Sequence, residues 1–254
     1  MDVSYYTTFD LPIKYRSIKI YPIIVKDVMP LALYSSCLTL DKNSSPNPEI
    51  ISMSYLKYLY YLNTVKDAEP YLAYFDRLLG LCLKDDSSFN DPMESLKRYR
   101  YENGEPYFII GDEKFYSFDF EEMRNIISQQ NMIELPDENM SIEVRKSLED
   151  ARRYKNKSNN ENPASLEDYI ISLSVVTGWE FDYIYSMPYR KFIKAIRRYD
   201  NYVHYKIYLS ASLSGFVEFK DKSVIKHWLS NIDDTDKYSD VSVELDKLKE
   251  KVGV

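Results

Sequence analysis

The sequence predicts a mainly α fold of the α+β class: helix-rich, with two small β-hairpins, one N-terminal and one central, and a C-terminal helical unit. Three observations predict it. Apolar residues recur at helical spacing over most of the chain. Only two regions, near residues 11–25 and 107–116, show the short alternating β-branched and aromatic runs of paired strands. The polar stretch N-K-S-N-N-E-N-P at 156–163 reads as a linker between an N-terminal α+β domain, 1–155, and a C-terminal helical domain, 164–254.

The first hairpin joins L-P-I-K-Y at 11–15 to I-K-I-Y-P-I-I-V at 18–25 through Arg16-Ser17. Pro12 and Pro22 confine these strands to edges or strand ends, because proline cannot donate to a ladder. Asp27 is the expected N-cap of the next helix, with Pro30 tolerated in its first turn and an apolar run at 31–40. After N-S-S-P-N-P at 43–48 come two helices, 50–62 and 71–83, apolar nearly all round. Such helices either form a core or leave a surface for a partner. A polar loop at 85–92 leads to the second hairpin, Y-F-I-I at 107–110 and Lys114-Phe115-Tyr116 around Gly111. Ser117 is the expected cap of a helix over 118–130, with Asp119, Glu121 and Glu122 near the positive end of its dipole. Residues 142–157 read as a solvated connecting helix, with Glu149 and Arg153 as an i,i+4 pair.

The C-terminal unit opens on a capping box, Ser165 with Asp168 three residues on. Leu166, Ile170, Leu173 and Thr177 mark its buried face, and Gly178 is the stop. A second short helix covers 179–186, and Pro188 opens a long third helix striped by Phe192, Ile196, Tyr199, Val203 and Ile207. An extended piece follows at 216–219, then a helix holding His227, Trp228 and Leu229. The tail stripe Val241, Leu245, Leu248 and Val252 is narrow enough to dock on a partner or on the body of the protein.

With 44% hydrophobic and 29% charged residues the chain is an ordinary globular one, and its net charge of −7 disfavours a general phosphate-binding role. The start M-D-V-S has no basic n-region and no run of 18 apolar residues follows, so neither a signal peptide nor a membrane span is expected. Cys37 and Cys82 lack the spacing of a redox or metal pair and read as buried free thiols. The 25 tyrosines suit half-buried faces and interfaces. An AT-rich gene produces the same excess and is the simpler explanation.

The catalytic inventory is thin. His204 and His227 belong to no H-E-x-x-H, and the phosphate-cradling glycine loops and the nucleophile elbow are missing from the sequence. Ser210, Ser212 and Ser214 lie in an Ala/Ser stretch that suits close helix packing, and the acidic pairs Asp85-Asp86 and Asp233-Asp234 fall in polar loops. The expectation is a protein that is not an enzyme, with no cofactor, no metal and no small-molecule substrate. Arg190, Lys191, Lys194, Arg197 and Arg198 crowd one helix after a helix–turn–helix, so a DNA-binding regulator is an alternative. The acidic whole favours a solvated face. Trp179, Tyr183 and Trp228 are the candidate partner-binding anchors, aromatic residues being favoured at interface centres. The competing reading, that the tryptophans fill the C-terminal unit's core, is slightly favoured.

Several stretches resemble tail-morphogenesis proteins of tailed phages and prophage-like particles of Gram-positive bacteria. They are residues 11–15 with 20–23, 50–59, 120–127 with 130–132, 164–168 and 225–232. The resemblance implies a tail assembly chaperone or baseplate hub assembly type of protein, which binds phage tail or baseplate proteins in the host bacterial cytoplasm. A structural subunit of the tail baseplate, present in the virion, is the other role it allows. It transfers no functional residue.

Overall fold

A computed structural model describes residues 3–65, 68–84, 89, 91, 97–136, 143–144, 146–148, 150–151, 164–215, 219 and 227–231. The architecture is mainly helical with two small antiparallel sheets. Two compact units are present, Met1–Asn139 with Asp182–Arg190, and Met140–Phe181 with Lys191–Val254. The expected linker at 156–163 lies outside the described residues, as do Glu149, Arg153 and the tail stripe Val241, Leu245, Leu248 and Val252. Asp182–Arg190, expected in the C-terminal domain, belongs to the first unit.

The first unit begins with a short helix that has no counterpart in the sequence reading, α1 (Ser4–Thr8), and the expected hairpin, β1 (Ile13–Tyr15) and β2 (Ile18–Ile20). Ile13 stands opposite Ile20, and Pro12 and Pro22 fall just outside the ladder, where a missing N–H costs nothing. Arg16, at the tip, adopts φ 51°, the left-handed region that Cβ sterics disfavour. Its guanidinium compensates by donating to the Lys114 carbonyl at 2.8 Å and to Asp119 at 3.1 Å, while lying 4.6 Å above the Phe115 ring. One side chain thereby pins the first hairpin to the second sheet and to the following helix.

Helix α2 (Val28–Tyr34) departs from expectation at its start. Asp27 stands at the N-cap position without a capping bond from its carboxylate, because a 3-10 turn over Val25–Asp27 leads directly into the helix. The expected single helix at 50–62 is two, α3 (Pro48–Ser52) and α4 (Tyr55–Leu62). Met53 is extended, and the Ser54 hydroxyl accepts from the Lys57 N–H at 3.3 Å, capping a new start. Helix α5 (Tyr71–Leu83) spans the expected residues and buries Leu72, Phe75, Leu78, Leu79, Cys82 and Leu83, the mark of a core helix.

The central hairpin is one half of a three-stranded meander, β3 (Tyr99–Glu102), β4 (Glu105–Ile110) and β5 (Glu113–Tyr116), in sequential order. Asn103 and Gly104 join β3 to β4 with φ of 52° and 81°, the two positive values that a type I′ turn needs. Helix α6 (Ser117–Asn131) follows β5 without a break. Ser117 is its first residue rather than its cap. The Ser117 hydroxyl pairs with that of Ser54 at 2.9 Å, while the Asp119 carboxylate accepts from the Tyr116 N–H at 2.8 Å and caps the helix from inside.

An aromatic series runs through the first unit. Tyr55, Phe120, Phe75, Phe108 and Phe115 follow one another with ring centroids 6.0, 4.8, 5.4 and 5.5 Å apart. A cation closes each end, Arg124 at 3.7 Å from the Tyr55 ring and Arg16 over Phe115. Tyrosine serves this core because its ring is apolar and its hydroxyl can satisfy a carbonyl. Tyr60 donates to Tyr107 O at 2.6 Å, Tyr99 to Leu72 O at 3.2 Å and Tyr55 to Leu38 O at 3.1 Å. A buried ion pair, Arg98 Nε to Asp76 Oδ1 at 2.8 Å, ties the residue preceding β3 to α5. Cys37 and Cys82 are free and buried, and loss of solvation raises both thiols far above their ordinary pKa.

Candidate functional site

Helix α7 (Leu166–Thr177) starts on the predicted capping box. Ser165 Oγ accepts from the Asp168 N–H at 3.2 Å, and Asp168 Oδ2 accepts from the Ser165 N–H at 2.8 Å. Hydrogen bonds from the Ser165 hydroxyl and N–H hold the Asp168 carboxyl below its ordinary pKa. Gly178 ends α7 at φ 73°, donating to Ser174 O at 2.8 Å. Of the expected buried face, Ile170 and Leu173 are buried, Leu166 is half-buried, and Thr177 is exposed with its hydroxyl returned to Leu173 O. The rest of α7 is less covered: Ile171 and Val175, opposite that face, are 44% and 78% exposed, and Tyr169 and Val176, flanking it, are each more than two-fifths exposed.

Helices α8 (Phe181–Ser186) and α9 (Tyr189–Leu213) follow. Along α9 the predicted stripe loses its cover towards the C-terminus. Phe192 is fully buried, Ile196 and Val203 are half-buried, Tyr199 is exposed, and Ile207 is 57% and Leu213 78% exposed. On another side of α9, Tyr202 meets Trp228 edge-on at 5.6 Å, Tyr205 meets His227 at 5.2 Å and Tyr208 meets Phe219 at 5.9 Å. The expected helix around Trp228 is, at 227–230, a turn closed by Ser230 N–H to His227 O at 2.8 Å.

The candidate anchors thus have different settings. Trp228 is half-buried against α9, Trp179 is half-buried with its carbonyl taking a 2.8 Å bond from Ser174 Oγ, and Tyr183 is 51% exposed. Trp179 and Trp228 belong to the second unit and Tyr183 to the first.

Two arginines of the basic cluster are engaged with main chain. Arg190 donates to Gln129 O at 3.0 Å, and Arg198 donates to Trp228 O and to Ser230 O, the latter at 2.9 Å. His204 bonds Asp200 within its own helix, and Ser214 Oγ bonds Ala211 O at 2.7 Å. Among the described residues no group of three or more His, Cys, Asp or Glu side chains could hold a metal ion, and no helix is long and apolar enough to cross a membrane.

A polar site that the sequence reading missed lies in the first unit, at the end of α6. Asn131 Oδ1 accepts from the Ile23 N–H at 2.9 Å, and Gln130 Nε2 donates to Ile20 O at 3.2 Å, all buried. These two amides serve the main chain that leaves β2. They join two of the stretches that carry the tail-morphogenesis resemblance, 20–23 and 130–132. In the sequence a buried amide looks like a surface one, so no local signal marks them.

Residues 155–233 match a family model described as the YomV second domain, a phage-derived family. That segment is similar to the YomV second domain. It takes in α7, α8 and α9 whole. No curated protein and no solved structure matches the chain.

Proposed function

We propose that this is a non-enzymatic protein of phage-type tail or baseplate assembly, acting by binding other tail components. The observation that carries the reading is the surface of the segment similar to the YomV second domain. There Val175 and Leu213 are each 78% exposed, with Tyr169, Ile171, Val176 and Ile207 beside them in the sequence of the same two helices. Apolar side chains gathered on a surface can mark where a protein partner docks. The kind of partner, a tail or baseplate protein, is taken from the resemblance of stretches throughout the chain, and the family matched at 155–233 is in keeping with a phage protein. The main-chain bonds of Arg190 and Arg198 favour this reading over DNA binding, because a guanidinium turned to carbonyls is less available to phosphate.

Deleting the gene tests the proposal. Heads should accumulate while tails are missing or arrested, and normal infectious particles would refute it. Mass spectrometry of purified particles then separates the two roles: an assembly chaperone is scarce in finished tails, and a baseplate subunit appears at fixed stoichiometry. DNA binding through Arg190, Lys191, Lys194, Arg197 and Arg198 would appear as sequence-dependent submicromolar affinity that falls steeply with salt. None is expected at physiological salt.

A further inference from the structure

The chain returns to the first unit for only nine residues, Asp182–Arg190, and both ends of that stretch continue in the second unit. Within it, Ile24 and Pro188 form an antiparallel bridge flanked by two main-chain bonds, Val25 N–H to Met187 O at 2.9 Å and Tyr189 N–H to Ile23 O at 2.8 Å. Pro188 occupies the one place in this short ladder where no N–H is required. Tyr189 packs against the core cluster, and Arg190 donates to Gln129 O near the C-terminal end of α6, where a cation meets the negative end of the helix dipole. Ile184 and Met187 are buried.

Met187 and Pro188 are the non-helical step between α8 and α9, and over that step the chain pairs as a peptide does when added to an open edge: main-chain bonds supply affinity, and the flanking side chains supply specificity. We propose that Asp182–Arg190 is a docking segment, and that the Ile23–Val25 edge together with the end of α6 is a peptide-binding site of the first unit. The site takes a segment carrying Met-Pro-Tyr-Arg, extended at Met187-Pro188 between two helices, and is filled here by the chain's own copy. The far side of Ile23 is fixed independently, since its N–H is held by Asn131 and the Tyr21 N–H by Cys82 O at 2.8 Å. The edge therefore keeps its shape when the segment leaves. This inference does not depend on the tail-assembly reading.

Hydrogen exchange on the unaltered full chain tests separability. The amides of Val25 and Tyr189 should open together and be at least about tenfold less protected than those of Tyr21 and Ile23, as in a local opening that leaves the rest folded. Equal protection of all four would overturn the proposal. A full-length variant, Tyr189→Pro with Arg190→Ala, removes the donor and the guanidinium, while proline remains tolerated at the first position of α9. A fluorescent peptide of residues 180–191 should bind this variant at least about tenfold more tightly than it binds the wild-type chain, whose edge is occupied. The same peptide carrying both substitutions should not bind. Failure of the native peptide to bind the folded variant would overturn the proposal, and so would unfolding of the first unit in that variant.

Discussion

In the first unit Phe75, Phe108, Phe115 and Phe120 are completely enclosed, whereas in the second only Ile170, Leu173 and Phe192 are buried among the described residues. The two units draw on similar residue types. Tyr55 and Tyr60 turn their rings inward and their hydroxyls to carbonyls, while Tyr169 and Tyr199 stand at the surface. The difference teaches that hydrophobic periodicity in the second unit is not all used for its own core. A unit with a closed aromatic interior is a scaffold. The first unit also shows apolar side chains to solvent, Met29 at 71% and Phe118 at 73%; what sets the second apart is the small buried set among its described residues beside Val175 and Leu213, each 78% exposed.

The comparison breaks most visibly under truncation. Phe75→Ala or Phe120→Ala should destabilise the protein by about 3–5 kcal/mol in denaturant unfolding, through lost burial and a residual cavity. Val175→Ala or Leu213→Ala should stay within about 0.5 kcal/mol. Comparable losses at all four positions would end the distinction between scaffold and surface.

The buried ion pair sharpens it. Asp76→Ala leaves the Arg98 guanidinium enclosed without its carboxylate and should cost about 3–5 kcal/mol. The same first unit should lose about 1–3 kcal/mol in Asn131→Ala, because the buried Ile23 N–H is then stranded. Asn131→Asp should restore little of that loss, because the amide also donates through Nδ2 to Ile127 O at 2.8 Å and a buried carboxylate would face that carbonyl.

The smallest effect belongs to the second unit. Ser165→Ala should cost about 1 kcal/mol and raise amide exchange only in the first turn of α7. The Asp168 carboxyl titrates below its ordinary 3.8, so its contribution is present above that pH and fades as pH falls through the lowered folded value. The protection of that turn, referred to intrinsic exchange, should fall as pH drops below 3.8, and Asp168→Asn should remove that fall. Protection that rises as pH drops below 3.8 would contradict the sign.

Much of the fold was legible because local rules and tertiary packing agree. Helix α5 could be read from its apolar run, and α7 from Ser165, Asp168 and Gly178, each performing the part its residue type suggests. Where the reading missed, tertiary structure or a neglected local signal was responsible. Asn103-Gly104 is a strong hairpin signal and marks β3, yet the charged residues around it hid the strand. Ser54 capped a helix in the middle of an apolar run, where periodicity argued for continuation. The Asp182–Arg190 ladder is not legible at all, because it pairs residues more than 160 positions apart. For the candidate anchors, the sequence could place Trp179, Tyr183 and Trp228 near turns. Their burial depends on partners such as Tyr202, which spacing does not reveal.

The central claim is that the second unit's exposed apolar side chains make the contacts on which tail assembly depends. Complementing a gene deletion with full-length protein carrying Val175→Glu and Leu213→Glu tests it most directly, read by electron microscopy of the particles and by the melting temperature of the purified variant. The account predicts an unchanged melting temperature with tails missing or arrested. Normal tailed particles from that variant would contradict it.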